Sequence, residues 1–335
     1  MPFHQAAKNL ITDISGVQVG HASDDKIKTG TTAIIFDEPA VASCQTLGGA
    51  PGTRETDLLE PHNVVDGIDA LVLSGGSAFG LAAASGVQDW LHENGRGFTV
   101  GPVRVPIVPS AILFDLINGG DKTDATNASY LQLGRDAAAG ASEDFALGSV
   151  GAGTGALTAD LKGGLGSASV KLEPHDITIG AIVAANPLGT VCIDGGAHFW
   201  AAPFELNDEF GGLGLPHAFP QSAQDLRIKF RPSEASNTTI GAIVTDAALT
   251  KAQCKRLAIA AHDGFTRAIW PSHTPFDGDI IFAASTGKKP MPEGIDAMID
   301  LCAAAGAVTA RAIARGIFEA TPSSGDILAC WSQRR

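Results

Sequence analysis

Apolar runs of strand length and segments with helical spacing alternate along the chain, and turn residues separate them. The predicted strands occupy residues 31–36, 69–74, 177–184, 189–194, 239–245 and 279–285. The predicted helices occupy residues 81–94, 133–142, 250–269 and 294–319. Because strands and helices are intermixed and strands often adjoin in sequence, the order fits an α/β (α+β) fold with two packed sheets between outer helices, a four-layer αββα sandwich.

Turn and capping residues define the ends of several elements. Gly95 is expected to end the first helix, and Thr250 with Gln253 forms a capping box that opens the third. Residues 201–236 show little periodicity and predict a surface connector. The other interruptions are polar loops at 48–59 and 118–132 and a glycine-rich stretch at 146–170.

Composition and charge narrow the class of protein. Of the 335 residues, 44% are hydrophobic and 18% are charged, which is typical of a globular chain; we expect one domain over residues 1–335. The net charge of −13 repels phosphate backbones and anionic lipids, so neither nucleic acid nor membrane is expected as a partner. Residues 299–314 are apolar but contain Asp300, Gly306 and Arg311, which suits a buried helix.

Cysteine and histidine usage indicates neither disulfides nor a metal site. The five cysteines are odd in number and lack the spacing of a metal site or a disulfide, so we expect reduced thiols. The first residues lack a basic start followed by an apolar run, so no signal peptide is predicted, and we expect a cytoplasmic protein. The nine histidines are dispersed; His262 and His273 are expected to be structural, and neither a metal nor a cofactor is expected.

A threonine pair lies where the polar connector meets a buried strand, in NTTIGAIVTD at 237–246. If the Thr238 hydroxyl attacked the carbonyl of Asn237, an N-to-O acyl shift followed by hydrolysis would leave Thr238 as a new N-terminus. Such a threonine carries its own base, because its α-amine titrates near neutral pH, at about 7.7–8.0. The amine and the hydroxyl that it would activate belong to the same residue. The same pair is also a good start for a strand, and the residues alone leave both interpretations open.

Six motifs follow one another along nearly the whole chain. They are LSGGSAFG at 73–80, GAGTG at 151–155, KGGLGSAS at 162–169, ANPLG at 185–189, NTTIGAIVTD at 237–246 and FDGD at 276–279. In this order they resemble the family of self-cleaving L-aminopeptidase/D-esterases, which includes β-aminopeptidases and the nylon-oligomer endohydrolase. The resemblance implies an αββα sandwich similar to other N-terminal nucleophile hydrolases, processing into residues 1–237 and 238–335, and a homo-oligomer of cleaved units.

The resemblance also implies roles for three residues. Thr238 would be the nucleophile of both self-cleavage and hydrolysis. Lys162 would lie near it and either lower the pKa of the Thr238 amine or orient the hydroxyl. Asn186 would stabilise the oxyanion with its side-chain NH₂. The residues by themselves equally allow a solvated loop lysine and, at 186–189 (NPLG), a type I turn.

Asp277 and Asp279 flank a glycine at a strand entrance, where side chains two apart share a face. They could hold the Thr238 ammonium and hydroxyl, or a substrate amine, although a plain Asp-Gly turn fits as well. This aspartate pair, and Asn237 before Thr238, resemble the nylon-oligomer branch. Aminopeptidase members typically carry Ser and Glu in place of the two aspartates, and Gly in place of Asn237. Phe114 lies where characterised members have a site tyrosine, so its substrate contacts must differ, and we expect it to line the pocket.

Two other motifs are compatible with different chemistry but lack parts of it. Ser77 lies in GGSAFG, yet Phe79 occupies the position where a nucleophile elbow needs glycine; a strand-to-helix turn is predicted there. GAGTG at 151–155 resembles a phosphate loop, but Lys162 is too far away and Ala156 breaks the GxGxxG pattern.

These observations lead to one functional hypothesis and three alternatives. The hypothesis is an autoproteolytic, cofactor-free amidohydrolase or aminopeptidase with an N-terminal threonine, acting on short peptides, amino-acid amides or esters. The alternatives are a nylon-oligomer-type hydrolase of ω-amino acid amides, an acyltransferase of the ornithine acetyltransferase type, and an inactive binding protein on the same fold. The joint presence of Lys162, Asn186, Thr238 and the two aspartates argues against the last.

Overall fold

The computed structural model describes residues 3–229 and 237–334. Its strands are β1 (His4–Gln5), β2 (Val17–Asp24), β3 (Thr29–Thr46), β4 (Thr53–Arg54), β5 (Ile68–Ser74), β6 (Phe98–Val100), β7 (Val103–Val105), β8 (Ser110–Ile112), β9 (Gly164–Leu172), β10 (Ile177–Ala185), β11 (Ile240–Ala247) and β12 (Ile280–Lys289). Its helices are α1 (Ala82–Glu93), α2 (Asn127–Ala139), α3 (Lys251–Ala261), α4 (Asp263–Ala268) and α5 (Asp296–Phe318).

The long strand β3 links two sheets. Its second half pairs antiparallel with β12, in a sheet that continues through β11, β10, β9 and β1. Its first half pairs with β2 and β5, in a sheet that continues to β8 and β4. The register shifts between Ile35 and Ala40, where Pro39 has no N–H for the ladder. This irregularity lets one strand serve both sheets.

Three separate apolar clusters define four layers. One lies between the two sheets and contains Phe36 and Leu71 from one sheet and Ile182 and Phe282 from the other. A second joins the β9–β12 sheet to α3, α4 and α5. The third joins the β2–β5 sheet to α1 and α2. The order of layers is therefore helix, sheet, sheet, helix, which confirms the predicted αββα sandwich.

The sequence pattern did not predict β9, because its glycines follow no strand period. A Cβ on Gly166 would lie 1.8 Å from the carbonyl oxygen of Ala312 in α5, and one on Gly164 would lie 2.1 Å from that of Gly316. The glycines are therefore required by the close approach of α5 to the sheet. Helix α5 meets them with its own small residues, so the tight contact is built from both sides.

Most predicted elements are confirmed, and three need correction. The prediction of a strand at 189–194 is wrong. This buried segment forms isolated bridges and leads into a short 3₁₀ turn, Ile193–Gly195. Helix α2 begins at Asn127, inside the predicted loop 118–132. The helix predicted over 250–269 divides at His262 into α3 and α4, and its capping box is confirmed.

Helix α5 is long and apolar enough to span a membrane by length and hydropathy, but it packs inside the protein. It lies against β9 and β10, and its Arg311 is buried in an ion pair with Glu209. This confirms the buried helix expected for 299–314.

The predicted connector 201–236 contains only short 3₁₀ turns as far as residue 229, and residues 230–236 lie outside the described residues. Gly76 and Ser77 both have positive φ and form the predicted turn from β5 towards α1. All five cysteines are free.

Candidate active site

Thr238 lies buried just before β11. Its hydroxyl Oγ1 donates a hydrogen bond to the carbonyl oxygen of Asn237 at 2.5 Å. The Thr238 hydroxyl and the Asn237 carbonyl are therefore in contact within one dipeptide. An attack of this hydroxyl on that carbonyl would be intramolecular.

The carbonyl oxygen of Asn237 also accepts the backbone N–H of Gly278 at 2.8 Å. The Asn237 N–H in turn donates to the carbonyl of Phe276 at 3.0 Å, so this residue pairs like a short parallel strand with the segment that enters β12. A Cβ on residue 278 would lie 2.8 Å from Thr238 Oγ1. Glycine at this position therefore leaves room for the hydroxyl while its N–H polarises the carbonyl.

Asn186 holds the other side of Thr238. Its backbone carbonyl accepts the Thr238 N–H at 3.1 Å. Its side-chain Oδ1 accepts the Leu157 N–H and the Lys229 ammonium, both at 2.9 Å, and its Nδ2 donates to the carbonyl of Phe114 at 3.0 Å. Because two donors meet at one atom, that atom must be the amide oxygen, and Nδ2 is the donor end of the side chain.

Asp279 fixes the backbone just after Thr238. Its Oδ1 accepts the N–H of Thr239 at 2.9 Å. Its Oδ2 accepts the backbone N–H of His273 at 3.0 Å and is 2.9 Å from the Nδ1 of the same residue. The His273 ring packs edge-on against His262, whose pKa is lowered by burial to about 4. The two histidines predicted to be structural thus lie directly behind Asp279.

Asp277 fixes the turn that follows Asn186. Its Oδ1 accepts the N–H of Leu188 at 3.1 Å, and its Oδ2 accepts the N–H and the hydroxyl of Thr274 at 3.0 and 2.7 Å. Burial, and then the charge of Asp279, raise the pKa of Asp277. The described hydrogen bonds of both aspartates go to residues around Thr238, and none goes to the hydroxyl or nitrogen of Thr238 itself. The pair therefore holds the backbone on either side of Thr238 in place.

Lys229 is a buried lysine that the sequence did not single out. Its ammonium donates to the carbonyl oxygens of Leu157 at 2.6 Å and Asn186 at 3.3 Å, and to the Asn186 side chain. Burial lowers its pKa to about 7, and the carboxylates of Asp277 and Asp115 oppose that shift. In sequence it lies in a connector among other charged residues. The only signal of burial is its apolar flanks in IKF at 228–230.

Lys162, in contrast, has no described contact with Thr238. Its ammonium is buried and donates to the Asp326 carboxylate and the carbonyl of Thr321, both at 2.9 Å. Lys28 binds the other oxygen of Asp326 at 2.7 Å, and these groups line a polar cavity of about 200 Å³. The described contacts of Lys162 therefore do not include Thr238, beside which the resemblance places it.

Phe114 contributes to the site through its backbone, since its carbonyl orients the Asn186 amide, while its side chain is half-buried. Within residues 3–229 and 237–334, no three His, Cys, Asp or Glu side chains are grouped so as to hold a metal ion. The chemistry that this arrangement can supply is attack by the Thr238 hydroxyl on a carbonyl group that a backbone N–H polarises.

The layers of this structure define its class, the N-terminal nucleophile hydrolase fold. The structure of L-aminopeptidase D-Ala-esterase/amidase from Ochrobactrum anthropi, described as a variant of that fold, superposes with a TM-score of 0.67 at 21% identity, covering 98% of this chain and 92% of that one. The family model of peptidase family S58 matches residues 9–327, and the chain belongs to that family.

Two relatives by sequence carry names that agree with this class. An uncharacterised aminopeptidase of Mycobacterium tuberculosis is 42% identical over 339 residues, covering 95% of this chain and 96% of the relative. The 6-aminohexanoate-oligomer endohydrolase of Paenarthrobacter ureafaciens is 29% identical over 292 residues, covering 84% and 76%. The protein is thus a peptidase of the aminopeptidase-like family that the motifs of the sequence resemble.

Proposed function

We propose that the chain cleaves itself between Asn237 and Thr238. Thr238 Oγ1 attacks the carbonyl carbon of Asn237, whose oxygen carries the developing negative charge and is stabilised by the N–H of Gly278. The C–N bond then breaks, the Thr238 nitrogen takes up the hydroxyl proton, and an ester links Asn237 to Oγ1. Water hydrolyses the ester, leaving a carboxylate on Asn237 and a free amine and hydroxyl on Thr238.

The observation that supports this proposal is the contact of Oγ1 with the Asn237 carbonyl, at 2.5 Å, on the same oxygen that the Gly278 N–H binds. A threonine at the start of a strand needs neither contact. Within β11, for comparison, the Thr245 hydroxyl donates to the carbonyl of Thr178 on the neighbouring strand. Here nucleophile, carbonyl and oxyanion donor lie together, as acyl transfer requires.

After cleavage, we propose, Thr238 is the catalytic residue of an amide hydrolase. Its amine accepts the hydroxyl proton as Oγ1 attacks the substrate carbonyl, the amine component leaves with that proton, and water releases the acyl group from the threonine ester. The Asn186 Nδ2 is the proposed donor to the substrate oxyanion, in the orientation that Leu157 and Lys229 fix. Short peptides, amino-acid amides and esters are the proposed substrates.

A second candidate substrate class is ω-amino acid amides. The Asp-Gly-Asp at 277–279 and the Asn237–Thr238 junction are the features that the sequence shares with the nylon-oligomer branch, and a 6-aminohexanoate-oligomer endohydrolase is 29% identical to this chain. Assaying 6-aminohexanoate oligomers beside α-amino acid amides separates the two classes.

Intact mass spectrometry of the purified protein tests the self-cleavage. The wild type should give roughly 24 and 10 kDa species, in proportion to their 237 and 98 residues, in place of one 34.2 kDa chain. Thr238→Ala should stay intact and inactive, whereas Thr238→Ser should cleave, because serine keeps the hydroxyl.

Thr239→Ala is the matched control for these variants. The Thr239 hydroxyl is buried and has no hydrogen-bond partner within the described residues, so its loss should leave cleavage unchanged. A cleaved, active Thr238→Ala protein, or an intact wild type that hydrolyses amides, would refute the proposed function.

A further inference from the structure

Lys229 lies in the connector that leads to the cleavage site, and it is tied down from both ends. Its backbone N–H donates to the carbonyl of Leu188 at 2.9 Å, in the turn that follows Asn186. The residue is only 5% exposed, and its ammonium donates hydrogen bonds to Leu157 and Asn186. One residue of the connector therefore bridges the two segments that shape the site.

Within residues 3–229 and 237–334, the three acceptors of this ammonium are all uncharged oxygens. Burying an ammonium among carbonyls without an ion pair is costly, and burial accordingly lowers its pKa to about 7. The charged groups that face it are Asp277, at the entrance to β12, and Asp115, after β8; both favour the protonated form. A methionine would fill the same space without that cost, so packing alone does not account for a lysine here.

The acceptors also connect Lys229 to the chemistry. The Asn186 carbonyl oxygen that Lys229 approaches at 3.3 Å is the one that accepts the Thr238 N–H at 3.1 Å. After cleavage this nitrogen is the free amine that must accept a proton. A second cation on the same oxygen disfavours the charged form of that amine.

We propose that Lys229 is a positioning residue of the hydrolase: it locks the Asn186 amide with Nδ2 as the donor, and its charge keeps the freed Thr238 amine neutral. The inference rests on the proposed function, since it concerns the amine that cleavage releases. It assigns to Lys229 the electrostatic role that the sequence suggested for Lys162.

The test compares two buried lysines of similar environment. Lys229→Met keeps the apolar stem and removes the charge, while Lys229→Arg keeps the charge. Lys251→Met is the matched control, because the Lys251 ammonium is also buried and donates to two carbonyls, those of Leu58 at 2.9 Å and Asn63 at 2.8 Å. Cleavage of each protein is first checked by intact mass, and folding by thermal melting.

The decisive measurement is the pH profile of kcat/KM on an amino-acid amide that the wild type hydrolyses. In Lys229→Met the acid limb should move up by about one to two pH units, since a like charge within a few ångströms shifts a pKa by about that much. Its kcat should fall by roughly 10²-fold as the oxyanion donor loosens, with KM less affected. Lys229→Arg should restore the limb, and Lys251→Met should leave it in place.

An unmoved acid limb in a cleaved Lys229→Met protein would overturn the proposal, as would an equal shift in Lys251→Met. If Lys229→Met folds but stays uncleaved, the profile is measured on Lys229→Gln. Should both neutral variants fold uncleaved while Lys229→Arg cleaves, the charge acts in self-cleavage and its assigned action on the freed amine is wrong. An uncleaved, inactive wild type would overturn the proposed function as well, whereas an active one with an unmoved limb overturns only the role of Lys229.

Discussion

Replacing Gly278 by alanine tests whether the geometry at the cleavage site drives the reaction. The added Cβ would lie 2.7 Å from the carbonyl oxygen of Ala50 and 2.8 Å from Thr238 Oγ1. Both distances are shorter than van der Waals contact allows. The Ala50 oxygen belongs to a backbone that is held by the Ala50 N–H bond to Asp277 at 2.8 Å, so the hydroxyl is the group expected to move.

Displacing the hydroxyl removes it from the Asn237 carbonyl. A misplacement of about 1 Å in a reacting group costs roughly 10²-fold in rate, and disturbing one oxyanion donor, here the Gly278 N–H, costs about 10²- to 10³-fold. Overpacking by one methyl destabilises a core by about 1–3 kcal/mol, which is less than the usual stability of a domain. Gly278→Ala should therefore fold but cleave at least about 10²-fold more slowly than the wild type.

The rate can be followed by pulse-labelled cell-free translation, as the 34.2 kDa chain disappears during the chase. Gly306→Ala in α5 is the control: its Cβ would meet its nearest neighbour, the carbonyl oxygen of Ala260 in α3, at 3.6 Å, an ordinary contact, so cleavage should be unchanged. If Gly278→Ala melts cooperatively and matures at the wild-type rate, the attack does not proceed from the observed geometry, and the mechanism must be abandoned.

Two further predictions concern stability. His262 has a folded pKa of about 4 against an unfolded value of 6.5; the unfolded state binds more protons between these values, so stability should fall by about 1.4 kcal/mol per pH unit from pH 6.5 towards 4. Urea unfolding at pH 7 and 5 should show a smaller loss in His262→Gln, and an equal loss would contradict this. Arg311→Met leaves the Glu209 carboxylate buried and should cost about 3–5 kcal/mol. Breaking the exposed pair of Lys26 with Asp124 by Lys26→Met should lower the urea midpoint far less, because solvent screens that pair. Similar urea midpoints for the two variants would refute the distinction.

Elements whose burial follows a local period were predictable from the sequence. The run at 69–74 is a central strand and is buried throughout in β5, so its apolar letters and its structure agree. The segment at 189–194 has similar letters but is not a strand. It follows the turn at Asn186, and it is buried by isolated bridges of Thr190 with Trp270 and of Cys192 with Phe199. Burial without a ladder looks the same in sequence as burial within one.

The strand β9 was not predicted for the opposite reason: it is a strand whose glycines give no apolar pattern. Its Gly164 and Gly166 carry no apolar signal, and what selects them is a helix that arrives in sequence more than a hundred residues later. The backbone oxygens of α5 leave no space for a Cβ at either position. A requirement set by a distant element cannot be inferred from a window of neighbouring residues, although the β9 glycines and the small residues of α5 are complementary once both are seen.

The two lysines show the same limit at the site. Thr238 and Asn186 were identified from the sequence, and a backbone hydrogen bond joins them in the structure. Of the two lysines, the sequence pointed to Lys162 and not to Lys229. A lysine's effect on a nearby amine depends on what neutralises it. Asp326 binds Lys162 and Lys28 through its two oxygens, which offsets the field that Lys162 could exert at a distance. Among the described residues, the ammonium of Lys229 meets neutral oxygens alone, so no described carboxylate compensates its charge by direct contact. Residue type therefore indicates that a cation is available, but pairing and burial decide which cation can act on Thr238.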